Sequence, residues 1–295
     1  MLRKNFDTEH FLIGFITIGI VGAGLLTGYA AFQNYFTRQQ SRIPPHNVQD
    51  VFKRPPGITV APEATVSAKI RIPIIMFHYV EPLQDPNDTA RRKLTINPYV
   101  FERQLQTFQQ AGYELYFVRD IPQILDGKQK AASRSAVLSF DDGYGDFYTT
   151  VLPLLKKYQM KATLYIIYDF IGRKGFLTQN QIKEVIQSGL VEIGAHTMDH
   201  VYLKRANPVV ARHQIIDSKK LLEELFSIKI ETFAYPYGAF DQNAIDLVKE
   251  ASFSAAVSVI PGTIQSKENI FFLYRLRTGV IAGQNLEKIL QNYPK

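Results

Sequence analysis

The chain contains no cysteine and no tryptophan. The first absence excludes disulfides, thiolate metal sites and cysteine nucleophiles, so a metal site would have to be built from His, Asp or Glu. It does not fix the compartment, because exported proteins can fold without disulfides. The lack of tryptophan leaves 20 Phe and 16 Tyr to supply all the aromatic surface. A strong charge of either sign is also missing. Lys+Arg 34 against Asp+Glu 27 gives a formal net charge of +7. That balance suits an acidic surface or polymer and is too weak to point to nucleic acid. A further absence is local: no Asp, Glu, Lys or Arg occurs from Phe11 to Thr37.

What stands in that gap is an apolar run, Phe11 to Phe32, of 22 residues. At about 1.5 Å per residue it reaches roughly 33 Å, enough to cross a bilayer core of about 30 Å. The alternative is a cleaved signal peptide, with Arg3 and Lys4 as its basic start and Gly28-Tyr29-Ala30 as a cleavage site. Signal cores usually run about 7–15 residues, which favours an uncleaved anchor. Arg3 and Lys4 before the span are matched by Arg38 and Arg42 after it, so flanking charge does not set the orientation. Residues 38–68 carry Pro44, Pro45, Pro55, Pro56, Gly57 and Pro62 without periodicity and read as a tether. The expected organisation is therefore an anchor or signal segment over 1–37, a tether over 38–68 and one domain over 69–295. Residues 1–68 hold 6 basic and 4 acidic residues, leaving 28 and 23 for the remainder, so the body carries +5. In a chain of 295 residues, 46% hydrophobic and 21% charged, that body is an ordinary globular domain.

From Lys69 onward strand-like and helix-like runs alternate. Ile72 to Val80 is a continuous apolar run of the kind a buried parallel strand shows. Further strands are expected at Tyr113–Val118, Ala136–Phe140, Ala162–Tyr168, Val191–Ala195, Thr232–Tyr235, Ala255–Ile260 and near Tyr274–Val280. A polar loop follows the first strand. Asn97-Pro98 then opens a helix that Gly112 closes, and helices are expected at Phe147–Tyr158, Gln179–Ser188, Pro208–Phe226 and Asp241–Ala251. Seven or eight strands alternating with helices point to a (β/α) barrel or a doubly wound sheet. In both, chemistry collects at the carboxyl ends of the strands.

Three strand ends carry candidates. Ser139-Phe140-Asp141-Asp142-Gly143 follows one strand, and alone it is ordinary turn chemistry. His196-Thr197-Met198-Asp199-His200 follows another. Histidines at i and i+4 on a helical turn face the same way, as metal ligation requires, though two capping or solvated histidines would give the same pattern. Together the two motifs offer a two-His-one-carboxylate set with open positions for water and substrate, and a second aspartate free to act as a base. The third strand end is Phe233-Ala234-Tyr235-Pro236-Tyr237-Gly238, where Pro236 and Gly238 shape a sharp turn.

The order Phe-Asp-Asp-Gly, His-Thr-x-x-His, Tyr-Pro-Tyr-Gly resembles the polysaccharide deacetylase family of carbohydrate esterases. The resemblance extends from about Ile70 to Ile281. The His78 strand and the segment Gly189 to His196 further resemble the branch acting on poly-N-acetylglucosamine-type envelope polymers. The resemblance implies a distorted (β/α)7-type barrel and a metal-dependent hydrolase that removes N-acetyl groups from such a polysaccharide. Asp141 would be the general base. Asp142, His196 and His200 would hold the metal, Zn²⁺ first, with Ni²⁺, Co²⁺ or Fe²⁺ also suited. The Tyr237 N–H would stabilise the oxyanion. The domain would lie on the extracytoplasmic side, tied to the membrane through the N-terminal helix. The partner implied is an acetylated polysaccharide, with no role for nucleic acid.

The sequence also departs from that family pattern. No Leu-x-His motif follows His200, and His213 sits mid-helix, so His78 takes the general-acid role; a satisfied core histidine is the plain alternative. Ala234 replaces an arginine that often precedes the Pro-Tyr motif, and Arg275 is expected to orient Asp141 in its place or to form a structural ion pair. No Asp-Trp segment exists. Two rival functions follow: an O-acetyl esterase on xylan-like glycans, and a catalytically weak glycan-binding envelope module.

Overall fold

A computed structural model describes residues 53–54, 56–58, 69–83, 85 and 87–293. The expected anchor over 1–37 lies outside them, as does most of the 38–68 tether. Among the described residues no helix is long and apolar enough to cross a membrane.

The core of the fold is a parallel barrel. Its strands are β1 (Ile74–Phe77), β2 (Glu114–Tyr116), β3 (Ser135–Phe140), β4 (Ala162–Ile166), β5 (Val191–Ala195), β6 (Thr232–Ala234), β7 (Ala255–Pro261) and β8 (Leu273–Arg275). Seven of them pair in the order β8-β7-β6-β5-β4-β3-β1, and β2 pairs with the first half of β3. The ring is nearly closed by a parallel bridge between Ile75 and Leu276, where Met76 N donates to Leu276 O and Leu276 N to Ile74 O, each at 2.8 Å. Strands covered on both faces need apolar residues throughout, and β1, β3, β4 and β5 are buried at every position. The (β/α)7-type expectation is met by this seven-strand ring.

The helices begin where side chains can satisfy the free N–H groups of a first turn. Asn97 accepts from Tyr99 N and Pro98 occupies the first turn of the helix Pro98–Gln110. Thr178 and Gln181 form a capping box on Gln179–Gln187, and Asp241 accepts from Ala244 N at the head of Gln242–Glu250. Phe101, Leu105 and Phe108, at spacings of four and three, seal the first of these helices onto the barrel.

Four expectations need correction. The run Ile72 to Val80 breaks into two short strands, Ile74–Phe77 and Tyr79–Val80, with a third, Ile70–Arg71, just before it, because Pro73 has no N–H for a ladder and the chain leaves the barrel at His78. The polar loop after it contains a short helix, Thr89–Leu94, capped by Asp88 and buried nowhere, which leaves no apolar period to detect. The long helix Pro208–Phe226 widens to an i→i+5 turn over His213–Asp217. Part of the tether belongs to the barrel surface: Ile58 packs on the core, and the Arg54 guanidinium lies 5.5 Å from the Phe272 ring centre.

Candidate active site

The carboxyl ends of β3, β5 and β6 bring the three motifs together, and the turns that do so run through strained backbone. Asp142, Thr197, His200 and Tyr237 all have positive φ, at 76°, 67°, 64° and 58°. L-residues other than Gly, Asn or Asp occupy this region at a cost of about 1–2 kcal/mol, and such strain concentrates at functional sites. Gly143, at φ 77°, suits the Asp-Asp turn because a side chain there would be strained by the left-handed backbone and its Cβ would stand 2.9 Å from Ile166 Cδ1. The two histidines of the His-x-x-x-His motif do not share a helical turn. A non-helical loop folds back through Thr197 and His200, held by Thr197 Oγ1 accepting from His200 N at 3.0 Å.

That loop aims both imidazoles at Asp142. Its Oδ1 lies 3.2 Å from His196 Nε2 and 3.3 Å from His200 Nε2. One ligand atom from each of the three residues falls within 4.8 Å of the others. His196 donates from Nδ1 to Ala234 O at 2.7 Å, which leaves its Nε2 lone pair facing Asp142. Burial pushes the His200 imidazole down to about 4 against the pull of Asp142, so this ring is neutral at physiological pH. Burial raises the Asp142 carboxyl, and positive charge at the two imidazole positions opposes it and holds the group below the usual range. Its buried Oδ1 nonetheless has no hydrogen-bond donor among the described residues. A buried anionic oxygen without a donor is costly unless a cation meets it. Two atoms bound to one divalent ion at about 2.0–2.1 Å stand about 3.0–3.4 Å apart, the spacing found here. The residues fit a metal ion.

Asp141 faces the other way. It is 3% exposed and receives two parallel bonds from Arg275, Nη1 to Oδ1 at 2.7 Å and Nη2 to Oδ2 at 2.8 Å. Arg275 is itself buried and fixed by Nε donating to Ser258 O at 2.7 Å. Burial would raise the Asp141 carboxyl; the guanidinium outweighs it and holds the group below its ordinary value, ionised. His78, where the chain leaves β1, places Nε2 3.9 Å from Asp141 Oδ2. Burial pushes this ring down, with Asp142 and Asp141 opposing. Tyr237 is exposed, and its ring centre lies 4.5 Å from that of His200. His213 is exposed and bonded to Asp217, as a surface histidine would be.

The fold therefore brings Asp141, Asp142, His196, His200, His78, Arg275 and Tyr237 together on one rim. Two neighbours were not expected from the sequence. Tyr144, two residues beyond Asp142, stacks on Tyr79 at 3.7 Å, and burial with the Asp142 charge pushes its hydroxyl up. Arg277 feels the charges of Asp141 and Asp142. The i, i+2 spacing of Arg275 and Arg277 was the signal for it, since alternate residues of an extended segment share a side.

A family model described as polysaccharide deacetylase matches residues 128–256. The Streptococcus pyogenes deacetylase PplD, solved in complex with acetate, is 30% identical, superposes with a TM-score of 0.69, and is aligned over 77% of this chain and 100% of that one. The chain belongs to the polysaccharide deacetylase family. Within the family, YxkH of Bacillus subtilis (strain 168) is 29% identical over 207 residues, 70% of this chain and 71% of that protein. The poly-beta-1,6-N-acetyl-D-glucosamine N-deacetylase of Staphylococcus aureus (strain MSSA476) is 27% identical over 174 residues, 55% of this chain and 60% of that enzyme. The match thus spans less than two thirds of the staphylococcal protein.

Proposed function

We propose that this polysaccharide deacetylase is a divalent-metal hydrolase that removes N-acetyl groups from N-acetylglucosamine residues of a cell-envelope polysaccharide, working on the extracytoplasmic side from an N-terminal membrane anchor. The observation that carries the reading is the donorless Asp142 Oδ1 facing two imidazoles, set beside an ionised Asp141. Likeness to the staphylococcal N-deacetylase supports the substrate class. The uncharged run from Phe11 to Thr37 supports the anchor.

Asp142, His196 and His200 would hold the ion, Zn²⁺ suiting this ligand set first. When bound, it supplies a Lewis acid for the acetyl carbonyl and lowers the pKa of water. Asp141 accepts the proton of the attacking water, which its ion pair with Arg275 keeps it ready to do. The Tyr237 N–H, turned by its positive φ, donates to the oxygen of the carbonyl under attack. His78, 3.9 Å from Asp141, takes up the proton removed from the water and passes it to the sugar nitrogen as the C–N bond breaks and acetate departs. An amide nitrogen needs that proton, whereas an alkoxide leaves with less help. The downward push on His78 favours ester cleavage as the second reading, an O-acetyl esterase.

Acetate release from N-acetylglucosamine oligomers by the full chain, with and without chelator, tests the function. Release that stops on chelation and returns with Zn²⁺ is expected. Release only from O-acetylated xylan selects the esterase, and release unaffected by chelation overturns the metal role.

A further inference from the structure

Beside His78 the rim dips into a small pocket of about 50 Å³, lined by Lys93, Thr95, Arg277 and Gly279 among others, with no acidic side chain. The volume holds a few water-sized groups, so it fits a carboxylate or phosphate and not a sugar ring. Arg277 is the unusual member. Both oxygens of Asp141 are taken by Arg275, and Asp142 faces two imidazoles. Among the described residues Arg277 therefore has no ion-pair partner. It is solvent-exposed, so a ligand can reach it; desolvation first and then Arg275 lower its pKa, with Asp141 and Asp142 opposing from across the rim. A crowded, unpaired guanidinium next to a second cation, Lys93, is a receptor for a planar or tetrahedral anion. Past Gly279 the same loop borders a wider groove of about 750 Å³ whose only charged lining residues are Arg103 and Lys288, again both basic.

We propose that this pocket, with Arg277 as its main contact and Lys93 at its edge, binds an anionic substituent carried by the glycan next to the acetylated residue. The preferred substrate is then an acidic glycan, bearing carboxylate or phosphate, in place of a neutral homopolymer. The proposal rests on the deacetylase reading and narrows its substrate. Bound there, the anion anchors the chain on the His78 side of the metal ligands. The neighbouring N-acetyl group is thereby presented to the Asp141 side of the site. A charge-assisted pair of this kind discriminates by about tenfold or more at low ionic strength, less as salt rises.

The test uses the full chain and three oligosaccharides of equal length: neutral N-acetylglucosamine, one alternating with N-acetylmuramic acid, and one carrying phosphate. Binding is measured by calorimetry, and acetate release separately. Wild-type protein is expected to bind one acidic oligomer about tenfold more tightly than the neutral one. The tighter of the two identifies the anion as carboxylate or phosphate. Arg277→Gln should bring the acidic-to-neutral ratio close to one, and Arg277→Lys should restore part of it. Equal binding of all three by the wild type overturns the proposal. So does a ratio unchanged by Arg277→Gln, or an equal fall on acidic and neutral oligomers, which would mean Arg277 acts only through the field at Asp141. Charge-selective binding without any acetate release leaves the pocket standing and removes the deacetylase reading instead.

Discussion

Two groups of carboxylates are buried in the same barrel, and they are held in opposite ways. At the carboxyl rim, Asp141 and Asp142 lie against a guanidinium and two imidazoles, and both are kept below their ordinary pKa. One turn of strand deeper, Glu192 of β5 is 2% exposed and meets only neutral donors: Thr163 Oγ1 at 2.7 Å, Thr232 Oγ1 at 2.8 Å and Arg119 N at 3.3 Å. Burial pushes its carboxyl up to about 7, with both threonines opposing. Equal burial thus leaves Asp141 charged where the Arg275 guanidinium is bonded to it, and brings Glu192, bonded to hydroxyls and an amide, to the verge of neutrality. The difference separates a rim that gathers the candidate site from an interior that joins β4, β5 and β6 to the turn that follows β2.

The comparison breaks first if the rim does not need its charges. Asp142→Asn keeps a residue tolerant of the left-handed backbone while removing the anionic oxygen. Metal content and acetate release should both fall by at least about a hundredfold, since even loss of a supporting group around a metal costs 10–100-fold. Next in size is Arg275→Met, which leaves Asp141 buried without its cation at a cost of about 3–5 kcal/mol near neutral pH. The native pair depresses Asp141, so its stabilisation is present above the unfolded carboxyl value and is lost as pH falls through the folded one. In the variant burial loses its main opponent, with only His196 and His78 left to counter it, so the acid limb of kcat/KM must move to higher pH. A limb that stays in place would show that Asp141 is not the base.

How far the rim could be read from the sequence follows from what each residue needed. The strands were legible as apolar runs, and with them the positions of Asp141, Asp142 and His196 just past their ends. The path of the His-x-x-x-His loop was not. Positive φ is signalled by glycine, and here Thr197 and His200 adopt it instead. The bidentate geometry of Arg275 on Asp141 links positions 134 apart in sequence, where no local pattern reaches. Glu192 was read as one residue of an apolar strand because its partners sit on neighbouring strands and only three-dimensional pairing brings them to it.

Glu192→Gln turns the other half of the comparison into a measurement. A carboxyl raised from 4.5 to about 7 contributes stability that is fully present below 4.5 and is lost as pH rises through 7. At 1.36 kcal/mol per unit, the wild-type minus variant stability should therefore fall by about 3 kcal/mol between pH 4 and pH 8. The sign is opposite to that of the Arg275–Asp141 pair. Denaturant unfolding at the two pH values measures it, and a flat difference would mean that the three donors keep Glu192 fully ionised.

The smallest expected effect lies between the two regions. Gly194 separates Glu192 from His196 on β5, and a Cβ there would stand 2.5 Å from Cδ1 and Cε1 of Tyr165 and 2.9 Å from Thr232 Oγ1. Tyr165 is fully buried, so its ring has little room to yield. Gly194→Ala should cost about 1–3 kcal/mol, the usual penalty for overfilling a packed interior. Because the clash strikes Thr232, a donor to Glu192, and not the Asp142–His196–His200 cluster, the loss should appear in thermal unfolding and reduce the pH dependence assigned to Glu192. Metal content should stay near that of the wild type. If metal content falls in step with stability, the interior and the rim are one mechanical unit, and the division between them holds only for their charges.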